Sequence, residues 1–158
     1  IKPMPGLAAR FALEPLDRPL IRVLDNLPVT GPEHLVNAPY GPFTLVGYDM
    51  ATGSSENNIP ENDIEVVLTW RVNEPVGRNF TTSVQLFDAA GERIAQDDRV
   101  PGGLFYPSSL WKPDELIRDV HPLSIGSSAS PDRVLIVMYS GDGFEPLAPA
   151  LEFPLSVQ

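Results

Sequence analysis

At 158 residues and 17.3 kDa, with 42% hydrophobic and 20% charged side chains, the chain has the size and composition of one folded domain around a single core. The 11 basic and 21 acidic side chains leave a formal charge of -10, a field that repels polyanions and argues against nucleic acid or an anionic lipid surface as a partner. The absence of cysteine excludes disulfides, thiolate metal sites and cysteine nucleophiles, and no apolar run approaches the roughly 18 to 20 residues that cross a bilayer.

Prolines are scattered along nearly the whole length, and because proline breaks helix interiors and central strands, the elements between them must be short. Residues 1–19, with Pro3, Pro5 and Pro15 around an Ala-rich stretch, read as a lead-in arm. Residues 20–158 are expected to form a single domain. In chain order, strands are expected at Leu20 to Leu24 and Phe43 to Asp49, with His34 in a loop between them. Met50 to Asp63 is polar and reads as a solvated loop.

Ile64 to Asn73 alternates with period 2, Val66, Leu68, Trp70 and Val72 on one face and Glu65, Thr69 and Arg71 on the other, as in a strand with one buried side. Trp70 therefore belongs to the core. Phe80 to Asp88 alternates in the same way. Asp88-Ala89-Ala90-Gly91-Glu92 then supplies a turn, with glycine for the positive φ of a tight hairpin, before a returning strand from Arg93 to Asp97.

Pro101 to Pro113 is a loop of another kind. Leu104, Phe105, Tyr106, Leu110 and Trp111 make it rich in large apolar groups, so it must pack on something. A strand from Glu115 to Ile125 is expected to break at Pro122, leaving His121 at a strand edge. Val134 to Tyr139, apolar on both faces, is the expected central strand, and Leu151 to Val157 alternates at the end. Roughly eight short strands give an all-β fold, an antiparallel two-sheet sandwich of Ig-like or jelly-roll type.

Motifs for chemistry are sparse. Nucleophilic hydrolysis needs a base beside the nucleophile, and His34 and His121 have no Gly-x-Ser-x-Gly elbow near them. The clustered His or Cys of a zinc site is missing, and Gly102-Gly103 and Gly141-Asp142-Gly143 read as turns rather than phosphate cradles, with no helix behind them. Asp97-Asp98, helped by Asp119 or Asp142, is the candidate for calcium, but adjacent carboxylates in a strand point to opposite faces. No acid sits in an obviously apolar run that would raise its pKa for glycoside cleavage. No cofactor is implied, and no catalytic residue is assigned.

The remaining chemistry is carbohydrate binding. Phe105, Tyr106 and Trp111 would serve as stacking platforms, with Asp98, Asp97 or Arg99 for sugar hydroxyls. The competing reading is that the same rings close one end of the core.

An ordered set of motifs adds context: Gly47-Tyr48-Asp49-Met50, Val67-Leu68-Thr69-Trp70-Arg71, Ser83-Val84-Gln85-Leu86-Phe87-Asp88 with Gly91, then Ala95-Gln96-Asp97-Asp98 and Pro101. Gly103 to Trp111, GLFYPSSLW, followed by Glu115-Leu116-Ile117-Arg118-Asp119, resembles the segment G-x-x-P-T-S-x-W-x-x-G-E-x-V-x-D. That segment belongs to an uncharacterised bacterial β-sandwich module that follows the membrane region of glycosyltransferase-like proteins, especially in Chloroflexi-type bacteria. The resemblance spans Phe43 to Leu147 and departs at Ser108, where Thr is common, and at Asp114, where Gly is common. It implies an extracytoplasmic module, often at the carboxyl end of a larger membrane protein, with no assigned catalytic residues to carry over, and the start at Ile1 fits an expectation that the chain is cut from such a protein. The expected function is a non-catalytic accessory or interaction module with a glycan or another protein as partner. A glycan-processing hydrolase using surface carboxylates and a purely structural spacer are the alternatives.

Overall fold

The structure is a computed structural model that describes residues 31–103, 105–126, 129–141 and 144–155. The expected arm, the strand at Leu20 to Leu24, Leu104, Asp142 and the end of the strand running to Val157 lie outside these residues. The strands in chain order are β1 (His34–Tyr40), β2 (Phe43–Thr52), β3 (Asp63–Val72), β4 (Phe80–Phe87), β5 (Arg93–Arg99), β6 (Leu116–Ser124), β7 (Arg133–Ser140), β8 (Glu145–Pro146) and β9 (Leu151–Pro154). One sheet has the order β1-β2-β3-β6, the other β5-β4-β7 with β8 and β9 both pairing the far side of β7. Every pairing is antiparallel. The two sheets pack face to face as a sandwich.

Where the prolines fall explains which strands are central. Pro39 lies in β1, Pro122 in β6, Pro146 in β8 and Pro154 in β9, all at sheet edges, whereas β2, β3, β4 and β7 contain none. An edge strand needs only one of its two hydrogen-bonding sides, so a missing N–H is tolerated there. For this reason Pro122 does not break β6, which runs unbroken through it and pairs Pro122 with Glu65. His34 likewise opens β1 instead of lying in a loop, its ring stacked 4.8 Å from that of Tyr48. That strand was hidden by Pro39 and by a bulge between Leu35 and Ala38, where Asn37 takes φ 49°.

The core lies between the sheets. Alternate residues of β3 (Ile64, Val66, Leu68, Trp70, Val72) face Phe80, Val84 and Leu86 of β4 and Val134, Ile136 and Met138 of β7, all buried. Phe43 is the hub of the rings, edge-on to Trp70, Phe80 and Trp111 at centroid distances of 6.3, 6.4 and 5.2 Å. Gly47 in β2 is required by a close approach: a Cβ there would come within 2.2 Å of the His34 carbonyl oxygen on β1.

Tyr40 ties one sheet to the other. Its hydroxyl accepts from the Met138 N–H at 2.9 Å and donates to the Ala148 carbonyl at 2.9 Å. β8 reaches β7 at Tyr139 and β9 reaches it at Ile136, so the break between them leaves the Met138 N–H without a strand partner, and the phenol fills that gap. The hairpin turn after β4 follows from its sequence: Asp88 Oδ1 accepts from the Ala90 and Glu92 N–H groups, and Gly91 takes φ 86°.

Candidate functional site

The inward face of β6 reads Ile117, Asp119, His121, Leu123, two ionisable groups in an apolar stripe. His121 is 0% exposed and Asp119 1%. On the facing sheet, the pairing of Thr82 with Arg99 and of Val84 with Asp97 turns both β5 side chains inward toward them. β5 and β6 are edge strands of opposite sheets, and here the side chains replace the backbone ladder that neither strand offers the other.

The resulting chain of contacts is continuous. Trp70 Nε1 donates to Asp119 Oδ2 at 3.1 Å, Asp119 Oδ1 stands 2.8 Å from His121 Nε2, and His121 Nδ1 lies 2.8 Å from Asp97 Oδ2. Arg99 closes the chain by donating to both oxygens of Asp97, at 2.7 and 2.9 Å. The Nε2 contact is an ion pair at a poor hydrogen-bonding angle, whereas the Nδ1 contact is well aligned. Burial alone would lower the His121 pKa, but the two carboxylates outweigh it and hold the pKa above the ordinary value. Protonated His121 donates from Nδ1 to Asp97 and sets its charge against Asp119, and two cations then balance two carboxylates. The cluster is a clamp between the sheets.

The sequence offers Asp119 only as a helper of Asp97-Asp98 at a calcium site, and it does not point to His121. His121 is not at a strand edge but in the middle of β6, because β6 does not stop at Pro122. Asp119 sits in an apolar stripe after all, and the signal that locates both is the period-2 run Ile117-x-Asp119-x-His121-x-Leu123 read through the proline. Asp97 and Asp98 do face opposite ways, Asp97 into the clamp and Asp98 outward, where it accepts from Gln96 Nε2 at 2.9 Å and Tyr139 Oη at 2.8 Å. Among the described residues, no group of three or more His, Cys, Asp or Glu is placed to hold a metal ion.

The rings of the Pro101 to Pro113 loop have separate fates. Trp111 is 2% exposed, packs on Phe43, and donates Nε1 to the Tyr106 carbonyl at 2.9 Å, so its faces are covered by protein. Tyr106 is half-buried and its hydroxyl donates to the Glu115 carboxylate. Burial first, then that carboxylate, push its pKa up. Phe105 is 87% exposed. Asp98 is bonded to Gln96 and Tyr139 rather than to any of these rings.

The loop is anchored by Ser108, whose buried hydroxyl donates to the Arg78 carbonyl at 2.8 Å and accepts from the Phe80 N–H at 2.9 Å. A threonine would keep the same hydroxyl. Asp114 takes φ 72°, a left-handed conformation that a glycine adopts without strain. Both positions where the sequence departs from the resembled segment thus have a plain geometric role.

At the same end of the sandwich, Leu110 and Leu116 are exposed, as is Phe144 in the connection after β7. That they share an end follows from the register, which places Val72, Phe80, Arg99, Leu116 and Ser140 at corresponding strand ends. No protein-family model matches the chain, and no curated protein is significantly similar to it. Among the described residues, no helix is long and apolar enough to cross a membrane.

Proposed function

We propose that the chain is an immunoglobulin-like, non-catalytic interaction module, held outside the membrane by a larger bacterial protein. The Ig-like reading is supported by topology: β3 pairs with β6 and β4 with β7, as strands B with E and C with F pair in immunoglobulin sandwiches, and β2 lies beside β3 in the place of strand A. The extracytoplasmic setting and the larger parent rest on the resemblance of the Gly103 to Asp119 segment.

The observation that carries the interaction reading is the exposure of Phe105, Leu110, Leu116 and Phe144 at one end of the sandwich. Loops at the end of a rigid sandwich are where such folds bind, and large apolar groups left in water there mark a contact surface. The buried ionisable groups Asp119 and His121, by contrast, are engaged with Asp97 inside the clamp. A glycan is the favoured partner, and the outcomes of one experiment separate the alternatives. The domain is mixed with insoluble polysaccharides (cellulose, chitin, curdlan, peptidoglycan), sedimented, and the supernatant analysed for released fragments. Retention with an intact polymer supports the module, fragment release indicates a hydrolase, and neither result leaves a spacer.

A further inference from the structure

We propose that the outward face of the β5-β4-β7 sheet is a saccharide site, with Tyr139 and Phe144 as ring faces and Asp98, Gln96 and Gln85 as hydroxyl acceptors, for an uncharged pyranoside. The proposal rests on the interaction-module reading and deepens it by narrowing the glycan to an uncharged pyranoside and by extending the contact surface from Phe144 onto the adjoining sheet face.

Register sets the geometry. Asp98, Ser83 and Val137 lie side by side across β5, β4 and β7, and Tyr139 stands opposite Thr81. Neighbouring strands are about 4.8 Å apart, so β5 and β7 are separated by roughly 10 Å. The Tyr139 hydroxyl nevertheless reaches Asp98 Oδ2 at 2.8 Å, which requires its ring to lie across β4 along the sheet surface. Ser83 is consequently only 2% exposed although its side chain points outward. The ring is held at both ends, by its own backbone and by the carboxylate, so a ligand would meet a platform already in place.

Phe144 stands beside it, its ring centroid 5.3 Å from that of Tyr139 and tilted by 45°. Phe144 is 71% exposed and its backbone takes φ 51°. A bulky side chain at positive φ is strained, and a ring left this exposed recovers little of that cost by burial. A second surface laid against the ring accounts for both features.

The polar groups around the rings are ordered, with acceptors to spare. Gln96 Nε2 donates to Asp98 and Gln85 Nε2 donates to Ser83 Oγ at 3.1 Å, and among the described residues neither amide oxygen has a hydrogen-bond donor. The Asp98 carboxylate has lone pairs beyond the two it uses. Burial raises its pKa, but hydrogen bonds from Gln96, Ser83 and Tyr139 outweigh that and keep it ionised at neutral pH. An ionised acceptor set on a chain of formal charge -10 favours hydroxyl donors and disfavours uronic, sialic or phosphorylated sugars.

The test is an array of neutral glycans spanning gluco-, galacto-, manno- and xylo-configured chains, with oligogalacturonate as the acidic control, followed by NMR titration of the best hit. The expected result is binding of a neutral glycan, with amide shifts gathered on β4, β5 and β7, and affinity about tenfold weaker in Phe144→Ala. Phe144 is exposed, so that variant keeps the fold, and a thermal melt verifies it. Shifts confined to another face, unchanged affinity in both Phe144→Ala and Tyr139→Ala, or preference for the acidic control would overturn the site. If polysaccharide is retained while the shifts lie elsewhere, the site fails and the module reading stands. If nothing is bound in either experiment, both fail.

Discussion

Deprotonating His121 is the most direct perturbation of the clamp. In the folded protein its pKa is raised above the ordinary 6.5, because the Asp119 and Asp97 carboxylates outweigh burial. A group with a raised folded pKa contributes its full stabilisation below the unfolded value. That contribution declines as pH climbs above 6.5 and is gone once pH passes the folded value. Each unit of separation is worth about 1.4 kcal/mol. The physical loss is plain: a neutral imidazole has one N–H for two carboxylates, and the other carboxylate then faces a lone pair.

Replacing His121 with Gln removes the cation at every pH and leaves Asp119 buried without its counter-charge, which should cost about 3 to 5 kcal/mol at pH 6. The assay is urea unfolding from pH 5 to pH 9 in a His34→Gln background, so that one histidine remains, with NMR of its ring protons reading the folded pKa directly. Wild-type stability should fall as pH climbs above 6.5, and the His121→Gln variant should lose that slope. A wild-type curve flat or rising over that range, or a ring that is neutral at pH 6, would refute the clamp.

Other expectations follow from the same contacts. Tyr40→Phe leaves the Met138 N–H buried without a partner and should cost about 1 to 3 kcal/mol in chemical denaturation. Trp111→Ala should cost about 3 to 5 kcal/mol because the ring is core, whereas Phe105→Ala should stay within about 0.5 kcal/mol of wild type. Equal effects of the two would contradict their opposite burial. Asp114→Gly should raise the denaturation midpoint slightly, since φ 72° suits glycine. The Tyr139 pKa is pushed up to about 12 by burial, then by its hydrogen bond to Asp98 and by that charge, so Asp98→Asn should bring its ring-carbon titration back toward 10. No movement would mean that the Tyr139 to Asp98 contact is not made in solution.

Period-2 alternation made β3, β4 and the hairpin to β5 legible, and the apolar run of β7 marked a central strand, because burial on a sheet face leaves its pattern directly in the chain. The prolines excluded long helices and, read correctly, also named the edges. Two elements were obscured by proline itself: β1, where Pro39 and a bulge interrupt the alternation, and β6, where Pro122 suggests a stop that an edge strand does not need. Ending β6 at Pro122 also hid the burial of His121, since a histidine at a strand end carries no sign of it.

The sequence by itself determined that this is a β-sandwich, which residues of β3 and β4 face the core, and that Asp97 and Asp98 must point opposite ways, because strand geometry is local. Only the tertiary structure decided the partners. Asp97 meets His121 because β5 and β6, 24 residues apart at that contact, end up as neighbouring edges of opposite sheets. Tyr139 crosses β4 to Asp98 because β4 lies between their strands. Trp111 turns inward while Phe105, six residues earlier, stays in water, because Ser108 ties the loop between them to β4. Such choices depend on strand order, which no run of residues along the chain encodes locally.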